Sequence, residues 1–114
     1  MFSRSESFGV LRNAMQAYAW RIKALTNNIA NVETPGYRRM SVSFEENLQR
    51  AEYLNGSNAE LDEVSPQHRI EDAPPSLEEE LLEMTETQMR NHLASRALHE
   101  HFNMARIAIT GRTA

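Results

Sequence analysis

The sequence predicts an all-α fold in which a long N-terminal helix and a long C-terminal helix pair as an antiparallel coiled-coil hairpin. Three observations lead to this prediction. The 114 residues include only four Gly and four Pro, and few are aromatic, which favours helix. All four prolines lie between residues 35 and 75, so both ends of the chain are free to form long helices. A regular apolar repeat runs along the N-terminal end.

That repeat predicts the N-terminal coiled-coil helix, assigned to residues 1–33. Its apolar residues recur at alternating spacings of three and four, which average the 3.5 of a coiled-coil seam. They are Phe8, Leu11, Met15, Tyr18, Ile22, Leu25, Ile29 and Val32. Trp20 lies off this seam, so a contact between two helices alone would leave it partly in water.

The C-terminal coiled-coil helix is assigned to residues 76–114. Ser76 and Glu79 are spaced as a capping box, so we expect the helix to begin near Leu77, and Gly111 is a typical C-terminal stop. In heptad register the seam is Leu77, Leu81, Met84, Gln88, Asn91, Ser95, Leu98, Phe102, Ala105 and Ile109. A second apolar line on the same helix consists of Leu82, Met89, Leu93 and Ala97. Such a helix either winds across its partner or contacts more than one neighbour.

The middle segment, residues 34–75, is predicted to be mostly extended or loop with one short helix. Met40, Val42 and Phe44 alternate with serines, which is typical of an extended stretch. Ser43 and Glu46 form a second possible capping box, opening a helix that ends at Gly56. The following connection, to Pro75, has few large apolar residues. A structureless connection of this length is unusual in a self-contained domain, so we predict one domain that depends on assembly.

The residues that carry catalytic chemistry form no recognisable site. The chain has no cysteine, which excludes disulfides, thiolate zinc sites and cysteine nucleophiles. Its four histidines lack metal-ligand spacing, and there is no glycine-rich phosphate loop. A net charge of −4 without a basic cluster argues against nucleic-acid binding. We therefore predict no catalytic residues, no cofactor, no metal and no enzyme activity.

Targeting signals are also missing from the sequence. No apolar run approaches the roughly 20 residues needed to cross a bilayer. The N-terminus has no apolar region typical of a cleaved signal peptide. Taken alone, these observations predict a cytoplasmic protein without a membrane span.

A short segment at the end of the N-terminal helix combines an unusual number of asparagines with a Pro-Gly pair. Asn27, Asn28 and Asn31 bring three side-chain amides to this end, where they can bond backbone groups of this chain or another. Pro35 and Gly36 suit the two central positions of a type II turn. An ordinary helix stop accounts for the proline and the glycine but not for the three asparagines.

These residues resemble the N-terminal signature of flagellar axial proteins of rod, hook and hook-associated type. The matching segments are Asn28-Ile29-Ala30-Asn31 and Thr34-Pro35-Gly36-Tyr37. Together with the short length, the Arg-Arg-Met-Ser-Val-Ser-Phe continuation and the run from Glu79 to Ile109, they are similar to the flagellar basal-body rod protein family, of proximal type. The resemblance implies an assembly motif of Asn28, Ala30, Asn31, Thr34, Pro35, Gly36 and Tyr37.

The resemblance implies a structural subunit of the proximal rod that polymerises into the flagellar drive shaft. Its expected partners are copies of itself, other rod proteins, the inner-membrane ring and export-gate or adaptor proteins. Export through the flagellar type III apparatus, without a cleaved signal, would place it in the periplasmic rod and reverse the cytoplasmic prediction. The coiled-coil seam would supply stiffness through Leu11, Met15, Tyr18, Ile22, Leu25, Ile29, Leu98, Phe102, Ala105 and Ile109.

Two alternatives remain open from the residues. One is another axial subunit of proximal-rod type. The other is a stand-alone helical-hairpin adaptor that folds alone and binds its partner through the exposed apolar line. A cooperative melt of the isolated chain, followed by circular dichroism, would favour the adaptor, whereas weak helicity that rises only on assembly would favour the rod subunit.

Overall fold

The computed structural model describes residues 4–111, with a long helix at each end as the sequence predicts. The ends of the two predicted helical segments, residues 1–3 and 112–114, lie outside the described residues. In chain order the elements are α1 (Arg4–Ala30), β1 (Met40–Ser43), α2 (Glu45–Asn55), two short 3-10 helices (Gly56–Asn58 and Leu61–Glu63), β2 (Gln67–Ile70) and α3 (Leu77–Thr110). The division into three segments at residues 33 and 75 stays a prediction.

The two long helices run in opposite directions. Asn28, near the end of α1, bonds to Glu80 in the first turn of α3. At the other end of the pair, the rings of Phe8 and Phe102 lie 5.5 Å apart, edge to face. The chain is therefore mostly helical and built on an antiparallel helix pair.

The prediction of an all-α fold is wrong, because β1 and β2 form a small antiparallel sheet. Met40 pairs with Ile70, and Ser43 pairs with Gln67. The alternation that predicted an extended stretch is confirmed as β1. β2 escaped prediction because it contains one large apolar residue and all four of its residues are exposed, so it shows no alternation of apolar and polar residues.

α2 and α3 end at the predicted glycines, but neither of them begins with the predicted capping box. Gly56 ends α2 with φ 56°, and Gly111 ends α3 in the left-handed region, as predicted. Neither predicted capping box forms: Ser76 precedes α3 without a side-chain bond, and α2 is preceded by Phe44. The Ser43 hydroxyl is engaged elsewhere, since it accepts a hydrogen bond from the side chain of Asn47.

The core lies between α1 and the segment that contains β1. Its buried members are Ala14, Ala17, Ala24, Val42 and Phe44. The three residues contributed by α1 are alanines, and this allows the strand to approach the helix backbone closely. Partly buried side chains around this cluster are Tyr18, Trp20, Met40, Leu48 and Val64. Trp20 is therefore covered in part by its own chain, and its ring stacks on that of His68 at 4.5 Å.

The predicted coiled-coil seam is only partly buried in the single chain. On α1, Leu25 is buried, and the half-buried members are Leu11, Met15, Tyr18, Ile22 and Ile29. On α3, Leu98 and Ala105 are half-buried, but Phe102 is 54% exposed and Ile109 is 85% exposed. The buried line of α3 consists instead of Glu80, Thr87 and Ala94, seven residues apart. A coiled coil built on the predicted seam stays a prediction.

The connection after α2 is ordered by contacts with α1. Leu61, in the second 3-10 helix, is 2% exposed. The side-chain amide of Asn13 donates to the carbonyls of Asp62 (2.8 Å) and Val64 (3.0 Å). Gly9 gives the 3-10 helix room to approach, because a Cβ at this position would lie 2.6 Å from Cβ of Asp62. The connection therefore contains two 3-10 helices and β2 and is held against α1.

The resulting molecule is flat. Its extents are 59 × 35 × 15 Å, so in one direction it is little thicker than a single helix with its side chains. None of the helices in the described part of the chain is both long enough and apolar enough to cross a membrane.

Gly9→Ala tests the close approach between α1 and the second 3-10 helix. In an exposed helix, this change gains up to about 1 kcal/mol of stability from helix propensity. Here the added methyl group meets Asp62, so we expect the free energy of unfolding to fall by about 1–3 kcal/mol instead. Urea denaturation of both proteins measures this difference, and a stabilised variant would contradict the packing.

Candidate functional site

The predicted assembly motif is organised around the buried side chain of Asn28, which is fully shielded from solvent. Its Nδ2 donates to the carbonyl of Met40 (2.7 Å) and to Oε1 of Glu80 (2.8 Å). Its Oδ1 accepts from the Met40 N–H (2.9 Å) and from the Tyr37 hydroxyl (3.1 Å). An asparagine amide has two donors and two acceptor positions, so its bonding capacity is filled. One side chain thus joins α1, the following turn, β1 and α3.

Side chains of α1 also occupy the outer edge of β1. The two bonds between Asn28 and Met40 use both backbone groups of that strand residue, as a neighbouring strand would. Further along, Arg21 donates to the carbonyl of Val42 (2.9 Å). Because an open strand edge is a template for unwanted pairing, these two polar side chains protect β1.

The turn after α1 has the predicted geometry. The N–H of Tyr37 donates to the Thr34 carbonyl (3.2 Å), and Gly36 has φ 79°, as the third position of a type II turn requires. Asn31 fixes the start of the turn, since its Oδ1 accepts from the Thr34 hydroxyl (3.1 Å). Pro35 is exposed within the turn. The turn therefore directs Tyr37 back towards Asn28.

Of the seven predicted motif residues, the structure brings Asn28 and Tyr37 into direct contact and uses Asn31, Thr34, Pro35 and Gly36 to shape the turn between them. Ala30 is the last residue of α1 and is exposed. Its side chain takes no part in this network of hydrogen bonds. A role for Ala30 in assembly stays a prediction.

Arg39 extends the network from Asn28 to three acids. Its Nε donates to Oε2 of Glu80 (2.7 Å), and its two terminal nitrogens bond to Glu71 and Glu83. Burial alone would lower the pKa of Arg39, but the hydrogen bonds to Glu80 and Glu71 outweigh it and hold that pKa above its ordinary value. Glu80 is completely buried, so its charge depends on Arg39 and Asn28 for compensation.

A second ion pair lies further along the contact. Arg21 bonds Glu45 through both terminal nitrogens, at 3.0 and 2.7 Å, and Arg90 of α3 reaches the same carboxylate at 3.0 Å. Burial would raise the pKa of Glu45, but the hydrogen bond from Arg21 lowers it below its usual value. Glu83 behaves in the opposite way, because burial raises its pKa more than Arg39 lowers it.

Sequence reasoning missed the residues that complete this site. Arg21, Arg39 and Glu80 read as ordinary surface charges, because a single sequence does not show which charged residues become buried together. One signal was available: Glu80, Thr87 and Ala94 share a heptad position, each one residue before a member of the predicted seam, namely Leu81, Gln88 and Ser95. A helix can bury small and paired polar residues in such a line.

A charged cleft of about 500 Å³ lies between β1 and α3. Arg21, Arg39, Arg69 and Arg90 line it together with six glutamates, two serines and a few other side chains. Within residues 4–111, no group of three or more His, Asp or Glu side chains is placed to hold a metal ion. Every buried side-chain nitrogen or oxygen in this part of the chain has a hydrogen-bond partner. What the arrangement does is to fix the helices and the sheet relative to each other.

A line of exposed apolar residues runs along the side of α3 that faces away from its buried line. Leu82, Met89 and Leu93 are 70, 62 and 57% exposed, and they follow one another at helical spacing. With Ala97, they are the second apolar line of the sequence, and we call them the outer line of α3. Within one chain this surface remains largely uncovered.

Comparison with known proteins agrees with the resemblance seen in the sequence. Residues 8–38, which contain most of α1 and the turn, match the family of flagella basal body rod proteins. The flagellar basal body rod protein FlgB of Aeromonas hydrophila is 32% identical over 54 residues, which cover 47% of this chain and 41% of that protein. The FlgB of Buchnera aphidicola subsp. Acyrthosiphon pisum (strain APS) is 32% identical over 69 residues, which cover 60% and 52%.

These matches confirm the likeness to flagellar basal body rod proteins of the FlgB type. The chain spans about half the length of the curated relatives it matches. No solved structure matches it. The matched family segment contains Asn28 and Tyr37, whereas Glu80 lies beyond it.

Asn28→Asp tests the hydrogen-bond network without changing the size of the side chain. The new carboxylate cannot donate to the Met40 carbonyl, and it faces the buried carboxylate of Glu80. We expect the free energy of unfolding to fall by about 3 kcal/mol or more, because the oxygen that replaces Nδ2 has no donor and the Met40 carbonyl and the Glu80 carboxylate each lose one. Asn27→Asp adds the same charge at the exposed neighbouring position and should cost far less. Equal losses in urea denaturation would show that the network does not stabilise the fold.

The Arg21–Glu45 pair should make stability depend on pH. The pKa of Glu45 is lower in the folded chain than its unfolded value near 4.5, so its contribution is present above that value and is lost as pH falls through the folded pKa. In Glu45→Gln, the free energy of unfolding should therefore fall less between neutral pH and pH 3 than it does in the parent chain. Glu83 is the control, because its raised pKa has the opposite effect: its ionisation lowers stability as pH rises, and Glu83→Gln should abolish that loss. Urea denaturation at each pH measures both, and identical pH profiles for the two variants would contradict this assignment.

Proposed function

Since residues 8–38 carry the segment shared with flagella basal body rod proteins, we propose that this chain is a structural subunit of the bacterial flagellar proximal rod. In this role it polymerises into the helical drive shaft that connects the inner-membrane ring to the distal rod and hook. Both curated relatives are FlgB proteins, which favours the FlgB type over a sibling such as the FlgC type. The function is mechanical, and the proposal includes no catalysis.

The observation that carries the proposal is the buried bonding of Asn28 within the matched segment. A subunit that transmits torque needs its helices and its turn fixed at set angles. The four hydrogen bonds of Asn28, with Arg39 behind Glu80, provide this fixation because moving any one element breaks bonds in a place that water does not reach. Rigidity at the end of α1 supports a structural role.

The open apolar surface supports assembly. The accessible surface of the chain is 8120 Å², whereas a compact monomer of this mass exposes about 6,400 Å². Part of the excess is apolar, including the outer line of α3 together with Phe102 and Ile109 of the predicted seam. Neighbouring subunits would cover these residues, and a heterologous contact that does not close on itself produces a helical filament.

The remaining features of the proposal follow from the family. Partners are other copies of this chain, other rod proteins, the inner-membrane ring, and export-gate or adaptor proteins. The location is the rod of the basal body, reached by type III export without a cleaved signal. In the assembled rod, the half-buried seam residues of α1 and the seam residues of α3 complete a coiled coil with stiff, interdigitated packing.

Deletion with complementation tests the proposal. Cells that lack this chain should fail to complete the rod and hook, and the gene supplied on a plasmid should restore both. Electron microscopy of purified basal bodies gives the readout. Complete rods and hooks in the deletion strain would refute the assignment.

Leu93→Asp tests the outer line of α3 as an assembly surface. Leu93 is 57% exposed, so the change should alter the free energy of unfolding of the isolated chain by no more than about 0.5 kcal/mol. In a subunit contact the same carboxylate loses water without gaining a partner, so we expect motility to be lost while the chain is still exported. Soft-agar swimming and immunoblots of exported protein separate the two effects.

The matched control is Tyr53→Asp, which places an acid at a residue of α2 that is 87% exposed. It should leave swimming unchanged if α2 lies outside the contact. Normal motility of Leu93→Asp cells would argue against the outer line of α3 as a contact.

A further inference from the structure

The two strands of the sheet differ in whether side chains cover their outer edges. The outer edge of β1 is occupied by the side chains of Asn28 and Arg21. β2 pairs with β1 along one side only, and all four of its residues are exposed. Edge strands are commonly protected because their free backbone groups can pair with another chain. The outer edge of β2 is therefore the open edge of this sheet.

Backbone alternation identifies which residues of β2 face outward. The N–H of Glu71 donates to the carbonyl of Arg39 at 2.8 Å, so the odd-numbered residues of this segment direct their backbone groups towards β1. In an antiparallel pair the next residues point the opposite way. His68 and Ile70 thus present their N–H and carbonyl groups at the open edge. The side chain of Ile70 is also 68% exposed, although it is apolar.

The charges on the two sides of Ile70 are opposite in sign. β2 ends with His68-Arg69-Ile70, which has basic or titratable nitrogen groups before the isoleucine, and the two residues that follow the strand, Glu71 and Asp72, are acids. When this segment pairs antiparallel with its own copy about Ile70, Arg69 of each chain lies opposite Glu71 of the other. Opposite charges directly across an antiparallel pair stabilise it.

Other registers of the same pairing are less favourable. Centring the pair on Arg69 places two guanidinium groups opposite each other. Centring it on His68 places Pro66 opposite Ile70, where proline has no N–H to donate. Only the register centred on Ile70 combines an apolar pair, two pairs of opposite charge and complete backbone bonding of that residue.

We propose that the open edge of β2 is a homophilic interaction surface, at which two copies of this chain pair antiparallel about Ile70 to form a four-stranded sheet. The occupant is a second copy because the charge pattern is complementary to itself. Such a contact closes on itself with two-fold symmetry, so it differs from the repeating contact of a filament and does not depend on the rod assignment. Its small area makes the pairing weak and reversible.

Site-specific cross-linking of the full chain tests this pairing. Because the chain has no cysteine, Ile70→Cys introduces a single thiol. The Cα atoms of a directly bonded antiparallel pair lie about 5.5 Å apart, within the range that a disulfide spans. With oxidised glutathione, Ile70→Cys should give a disulfide-linked dimer on a non-reducing gel. Tyr53→Cys, at a more exposed position away from the sheet, is the control for random collision and should give little.

A charge exchange tests the register. In the Ile70→Cys background, Arg69→Glu alone and Glu71→Arg alone each place like charges opposite each other and should lose the cross-linked dimer. An equimolar mixture of the two should regain it as a heterodimer, because each chain then presents the opposite charges to the other. Circular dichroism checks that both variants keep their helix content, which matters because Glu71 also bonds Arg39.

Ile70→Pro provides a second, independent variant. It removes an N–H that faces away from β1, so the sheet within one chain should remain while the dimer seen by sedimentation at high concentration is lost. Cross-linking of Ile70→Cys no faster than that of Tyr53→Cys would overturn the proposal. So would equal cross-linking of the charge variants alone and mixed.

Discussion

The four hydrogen bonds of Asn28 are the constraint on which the rest of the structure depends. The side chain is completely buried, so each bond left unmade costs about 1–3 kcal/mol of desolvation with no water to replace it. The partners come from the turn, β1 and α3, and all of them must therefore be in place together. The position of α3 against α1 follows from this requirement, because Glu80 can be buried only beside Asn28 and Arg39.

Much of this architecture could be predicted from the sequence, because residues close together in the chain determine it. α3 begins at Leu77 as predicted, although the capping box on which that prediction was based does not form, and the type II turn follows from Pro35 and Gly36. The alternation from Met40 to Phe44 gave β1. In each case the residues that determine the structure are within a few positions of it, so no knowledge of the fold was needed.

The rest could not be predicted because it depends on residues that are distant in the sequence. Glu80 is 52 residues from Asn28, and Asp62 is 49 residues from Asn13. β2 is formed by its pairing with β1 and has no pattern of its own. The contact line of α3 was assigned to a heptad seam with apolar ends, but Glu80, Thr87 and Ala94 are buried instead, and Glu80 is held by Asn28 and Arg39. A seam rule that counts apolar residues misses this arrangement.

The pairing of the first and last helices also sets the order in which the chain can fold. Contacts between segments far apart in sequence form late, because the long loop between them must first be closed. A chain that leaves a narrow channel with its N-terminus first would present α1 long before α3, and the buried amide of Asn28 would lack its partner Glu80 during that time. Because Glu80 lies in the last third of the chain, the fold of such a chain would be completed only after that third had emerged.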